Sequence, residues 1–546
     1  MRAREASLGE SERETTAQRP AIVSSGDLLG SARTLRTLQH ALELVVLVIV
    51  VGSVAAIGSV HAPAYTVLWV ACFVAFALTL LRALAIGGLR QRLGAHRVAF
   101  HVSGRWLVVE PHEDDHALGW SIDLREPALP RGALLAPGMA FLALALLQLV
   151  PLAAFGGPVT LEPVATRRGI TFLLALLTLH EAAAAVFAQR PAWRRFRRVL
   201  TWLGAALALV ALAQLASGTS LVYWWFEPLE GGQPFGPFVN RNHFAGYMLL
   251  VLPIALGLLA AAWRAYARRA GGDPNARRRL VALASPEGTA LVYAALAPLL
   301  GIGALVASTS RGGILAFVFA LAIAVVGARS RRGMPGWVAA LLFAGMVLSW
   351  FGLERLELRF VRAADDAPGR TVIWRESLAA LHGPRWATGY GFNAFAEAIS
   401  RVPAWQLPRG ATPWPAPVDA PLRSGARLGY RAPGDLPGLD WYREAHNDWL
   451  QLLVETGVPG LLIGLWGALA ALHAARRDPW RFAALAGVLM HAFVDFDLQI
   501  PAISALLVVL AADRDASPRE GLIAELSSPR RAPPLIPEGA GVGSTS

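Results

Sequence analysis

A chain of 546 residues that is 55% apolar and only 16% charged, with a mean hydropathy of +0.46, carries too little charge for a soluble enzyme of its length. Its net charge of +12 owes nothing to lysine, because the sequence contains none. The arginines are scattered through helix-flanking loops and form no interleaved basic and aromatic surface, which argues against a nucleic-acid partner. The single cysteine, Cys72, excludes a disulfide framework or a cysteine metal site within one chain.

In chain order, residues 1–39 are polar and read as a disordered cytoplasmic tail without the apolar stretch of a cleavable signal peptide. The first spanning helix is then the expected anchor. Apolar runs of bilayer length predict spans at roughly 41–60, 64–85, 134–155, 170–187, 198–216, 243–263, 289–307, 312–328, 334–352, 448–473, 481–496 and 498–512. The fold class is therefore an all-α polytopic membrane protein of about twelve transmembrane helices. The short alternating segments of a β-barrel are absent.

With the amino terminus in the cytoplasm, the inner loops are 86–133, 188–197, 264–288, 329–333 and 474–480, and each is dense in arginine, as the positive-inside rule requires. The insert 86–133 contains VAFHVSGRWLVVE at 98–110, an alternating pattern around a Ser-Gly turn that predicts a small β-hairpin. HEDDH at 112–116 has no metal-ligand spacing and reads as a solvated loop. The one large outer segment, 353–447, opens with a helix-like TVIWRESLAALHG and turns Pro-, Trp- and Gly-rich. A long structured loop of this kind serves as a lid or binding element. Tryptophans 224, 225, 386, 405, 414, 441 and 449 crowd the outer side, either as an interfacial belt or as platforms for sugar rings. Residues 514–546 read as a second disordered cytoplasmic tail.

Three polar motifs fall at outer helix ends, where polar groups are costly and mark function. FVNRNHFAGY, from Phe238, enters the sixth helix. Asn240 or Asn242 can cap that helix, but capping does not account for the whole cluster with Arg241 and His243. STSRGG, from Ser308, is a tight hairpin whose Arg311 either snorkels to head groups or presents a guanidinium fork to a diphosphate. EAHNDWLQLLVETG, from Glu444, starts the tenth helix. Asn447 or Asp448 is the expected cap, and His446 beside Glu444 suits general base chemistry. Glu455 lies two turns further in, with structure and function equally open. Asp495 and Asp497 could serve a metal-bound diphosphate, a reading that lacks nearby carboxylates of fixed position.

Taken in order, NRNHFAGY, SRGG, the R-x-x-x-W of Arg370 to Trp374 with GYGF at 389–392, and HNDWLQLLVETG resemble the O-antigen ligase superfamily over roughly 235–510. The resemblance divides the chain into amino-terminal helices (40–234) and a ligase-like transmembrane region (235–513). It implies transfer of a glycan from an undecaprenyl-diphosphate carrier to an acceptor hydroxyl, either lipid A–core in a ligase or another repeat unit in a polymerase. The site would face the periplasm, in a bacterial inner-membrane protein with both termini cytoplasmic. His446 and Arg311 become the catalytic candidates; Asn240, Arg241, His243, Arg370, Glu444 and Asn447 become the substrate-binding ones. No cofactor and no metal is called for. Partners are the lipid-linked donor, the acceptor and membrane lipids. Competing readings are a transporter of bicarbonate or a similar solute and a non-catalytic assembly component. A transporter is expected to interrupt paired helices at midplane, whereas these motifs sit at helix ends.

Overall fold

The computed structural model describes residues 25–93, 97–100, 120–123, 132–153, 156–188, 190–228, 233–270, 281–329, 373–375, 377–401 and 444–512. The long helices are α1 (Ser25–Ala55), α2 (Ala62–Leu93), α3 (Leu135–Leu147), α4 (Pro163–Phe187), α5 (Arg190–Ser217), α6 (Arg241–Ala270), α7 (Pro286–Ala307) and α8 (Arg311–Arg329). The short α9 (Arg385–Thr388) and α10 (Phe395–Arg401) follow, then α11 (Asp448–Ala475), α12 (Pro479–His491) and α13 (Pro501–Ala511). Among the described residues, 7 helices are long and apolar enough to cross a membrane (α1, α2, α4–α7 and α11), and α3, α8 and α13 are shorter apolar helices. The chain is an all-α polytopic membrane protein. The span expected at 334–352, the HEDDH stretch and most of the outer segment lie outside the described residues.

The centre of the bundle is α6, with 83% of its apolar window buried. A helix apolar on all sides and packed on all sides is a core helix. Its neighbours approach through small residues: Gly204 of α5 lies on Val251, Gly301 of α7 on Leu252 and Met248, and Gly313 of α8 on Ala245. Such contacts drive association where lipid removes the hydrophobic incentive. Outward positions stay apolar, with Val67 at 69% and Leu84 at 72% exposure, as a lipid-facing surface requires. At the end of the bundle away from the amino terminus of α6, Arg195 grips Glu43 through bonds of 2.7 and 2.6 Å, and Arg82 donates to Gln39 at 2.8 Å.

One expectation is corrected. Helix α1 begins at Ser25, inside the segment read as a tail, because Leu35 and Gln39 are buried against the bundle. The strand Arg97–Phe100 pairs antiparallel with Trp120–Asp123, with Phe100 opposite Trp120, while the Ser-Gly turn of the expected hairpin lies outside the described residues.

Helix α11 is not continuous. Gly457 has φ 68° and ψ −173°, and Pro459 follows it. Pro459 has no N–H to give the Glu455 carbonyl four residues back. The GYGF loop supplies the missing donors: Tyr390 N–H reaches the Val454 carbonyl at 3.0 Å and Gly391 N–H the Glu455 carbonyl at 2.8 Å. Gln148 of the loop after α3 adds a third donor to Glu455 at 2.8 Å. The two glycines thus belong to a docking surface. Gly389 has φ +63°, and a Cβ there would strike the backbone of Glu455 and Thr456. Gly389→Ala is expected to cost about 1–3 kcal/mol or more, read as a lowered unfolding temperature in detergent. An unchanged temperature would show that the loop is not docked on the break.

Candidate functional site

Three helix amino termini meet at one end of the bundle. Each is capped from its own sequence: Asn240 accepts the Asn242 N–H at 2.9 Å for α6, Ser310 accepts the Gly313 N–H at 3.3 Å for α8, and Asn447 accepts the Leu450 N–H at 3.0 Å for α11. Asn240 and Asn447, expected at the substrate, therefore spend their side-chain oxygens on capping. Amino termini of helices carry partial positive charge and unpaired N–H groups, so this end favours an anion.

The three motifs are cross-linked there. Arg241 donates to Thr309 at 3.3 Å, which ties the start of α6 to the turn that ends in Arg311. Gly312, the next residue, lies against His491 and Val494 of the chain leaving α12. Asn242 donates to Asp495 at 2.6 Å. His446 Nδ1 lies 3.7 Å from Asp495 Oδ1, and His243 Nε2 lies 3.8 Å from the same oxygen. Arg241, Arg311 and His446 are partly buried at this end. Glu444 sits two residues before His446. Arg370 lies outside the described residues.

Asp495 and Asp497 face imidazoles and give no support to the metal reading. Asp495 is 1% exposed and also accepts the Phe496 N–H at 3.0 Å. Asp497 pairs with His491 Nδ1 and occupies space left by Gly246. Asp448 accepts from Leu498 at 2.9 Å and from Gln499 at 3.2 Å. Among the described residues no group of three or more His, Cys, Asp or Glu is arranged to hold a metal. The ring of Phe496 packs edge-on against both His243 and His446, with centroids 4.5 and 4.9 Å away. At these distances the Asp495 carboxylate acts on the two imidazoles through its charge, and the Phe496 ring walls them in.

Two of these residues stand in unusual backbone conformations. His446 has φ +49° and Thr309 has φ +55°, in the left-handed region that favours glycine. Non-glycine residues in this region cluster at functional sites, held there by their surroundings. Further out, Arg385 donates to the carbonyls of Val159 at 2.8 Å and Gly389 at 2.9 Å and lies over the Tyr390 ring. Burial holds its guanidinium below the ordinary value, and Tyr390 opposes that shift.

The sequence marked Asn242 only as a possible cap, offered Asp495 only as half of a pair that could serve a metal-bound diphosphate, and did not single out His491. Asn242 and Asp495 act on each other across 253 residues, so spacing alone carried no signal for them, and the His491–Asp497 pair forms only where the chain turns after α12.

The fold and this end together define a polytopic helical membrane protein with a candidate site, bearing arginine and imidazole side chains, at helix amino termini. Residues 296–414 match the family model described as O-antigen ligase, which bears out the superfamily resemblance carried by the motifs. The matched stretch includes the Arg311 turn and the GYGF loop. None of the curated proteins matches the chain.

Proposed function

We propose that the chain is a membrane glycosyltransferase of the O-antigen ligase or polymerase type. It moves a glycan from an undecaprenyl-diphosphate carrier to an acceptor hydroxyl at the periplasmic face of the bacterial inner membrane. The observation that carries this reading is the meeting of Arg241, the Arg311 turn and His446 at three helix amino termini. The family match supports glycan transfer in general terms.

The chemistry needs two things. The leaving group is a lipid diphosphate, whose developing charge must be met as the glycosidic C–O bond breaks. Guanidinium groups and helix amino termini already in place stabilise such charge without reorganisation. Arg311 and Arg241 take this role, with Arg370 as a further candidate. The acceptor hydroxyl must lose its proton as its oxygen forms the new bond to the anomeric carbon. His446 accepts that proton, and the Asp495 carboxylate 3.7 Å away offsets its positive charge. The electron pair of the broken bond leaves on the diphosphate. A single displacement inverts the anomeric configuration.

The test is transfer in vitro. Protein purified in detergent is mixed with a synthetic undecaprenyl-diphosphate glycan and either lipid A–core or a second lipid-linked repeat. A joined glycan and free polyprenyl diphosphate, formed equally well in EDTA, are the expected products. No transfer to either acceptor, under conditions where the donor binds, would leave the transporter and assembly readings standing.

A further inference from the structure

The residue before His446, itself in the left-handed region, is held on both sides. The Trp374 indole N–H donates to the carbonyl of Ala445 at 3.0 Å. The Ala445 N–H donates to Gln451 Oε1, also at 3.0 Å. Ala445 itself is fully buried. A backbone N–H can only donate, so Gln451 must turn its oxygen to Ala445 and its amide nitrogen away. That nitrogen donates to Glu455 Oε1 and to Gln499 Oε1, both at 3.0 Å. The Gln451 amide thereby places both of its donor hydrogens and its acceptor. Glu455 takes the Asn393 N–H at 2.8 Å on its other oxygen, and Gln499 donates to Asp448 at 3.2 Å. A buried chain of hydrogen bonds therefore runs from the loop after GYGF, through Glu455 and Gln451, to the backbone beside the imidazole.

We propose that Trp374 and Gln451 are positioning residues for His446, clamping Ala445 by its carbonyl and its amide and so tying the imidazole's placement to the outer segment that carries Trp374 and Asn393. The inference rests on the reading of His446 as the base, but the clamp itself is measurable without it. A strained conformation persists only where its surroundings over-determine it, and here two hydrogen bonds from different segments do so. The R-x-x-x-W pattern thereby acquires a role for its tryptophan: the side chain packs against the buried cluster that includes Ile373 and Phe395, while its N–H points at the base-bearing loop. The same network assigns Glu455 a supporting place rather than contact with substrate.

Two variants test the two bonds. Trp374→Phe keeps an aromatic ring but removes the N–H together with part of the indole's volume. Gln451→Leu keeps the approximate volume and removes the amide. Hydrogen–deuterium exchange at Ala445 is expected to quicken about tenfold or more in each, since either loss frees the loop. The transfer kcat is expected to fall by about ten- to a hundredfold, with the KM for the lipid-diphosphate donor within twofold of the parent and the pH profile of kcat displaced. Should Gln451→Leu fail to fold, Trp374→Phe decides alone. Parental exchange at Ala445, or faster exchange with an unmoved kcat and pH profile while His446→Ala is inactive, would overturn the proposal. Full activity of His446→Ala would instead overturn the base assignment and leave the exchange result to judge the clamp.

Discussion

Protein carrying His446→Ala is expected to bind the lipid-diphosphate donor normally and to transfer its glycan about 10²–10⁴-fold more slowly. The imidazole sits 3.7 Å from a buried carboxylate and against the Phe496 ring, an arrangement suited to a proton acceptor. Its loss removes the proton acceptor but leaves the amino termini and guanidinium groups that grip the diphosphate. The effect therefore belongs in kcat, with little change in donor KM. Single-turnover transfer and donor binding by fluorescence, measured on the same preparation, separate the two. Near-parental turnover would require a different base, and His243, beside the same oxygen of Asp495, would be the first to examine.

The second large effect is expected at Arg311. Arg311→Ala should weaken donor binding by about ten- to a hundredfold, the worth of one charge-assisted hydrogen bond. It should also slow transfer by a further 10²-fold or so, as removal of one transition-state donor does. Arg311→Lys restores the charge but not the planar fork, so it should recover only a small part of the loss. Arg241→Ala is expected to act in the same direction and also to remove the hydrogen bond that ties the start of α6 to Thr309. Isothermal titration with a short-chain polyprenyl-diphosphate glycan checks the binding component. Donor affinity unchanged in Arg311→Ala would remove this residue from the diphosphate site.

The helices were legible because crossing a bilayer imposes a length and a composition that a sequence displays directly. The spans expected at 170–187, 243–263 and 289–307 fall on α4, α6 and α7. The bend in α11 was not legible as a bend. Gly457 and Pro459 lie inside an apolar run, and only the docking of Tyr390 and Gly391 onto the exposed carbonyls explains why the break is tolerated. The same docking turns GYGF from a turn motif into a loop anchored on α11. Of the candidate residues, the sequence pointed to Arg241, Arg311 and His446 because charged and imidazole groups at apolar helix ends are conspicuous. It pointed equally to Asn240 and Asn447, whose oxygens the helices themselves use. Asp495 was visible as half of an Asp-Phe-Asp pair, but whether a carboxylate faces a metal, a substrate or an imidazole depends on which helices pack together. Trp374 and Gln451 look like ordinary core residues until the two ends of Ala445 are seen between them.

The central claim is that guanidinium groups and one imidazole share a single donor molecule. A structure of the protein trapped with a non-hydrolysable undecaprenyl-diphosphate glycan tests it most directly. The account requires the diphosphate to lie at the amino termini of α6 and α8, in contact with Arg311 and Arg241, with the anomeric carbon facing the His446 imidazole. A donor bound with its diphosphate elsewhere in the bundle, or with His446 on the far side of the glycan from any acceptor path, would contradict it.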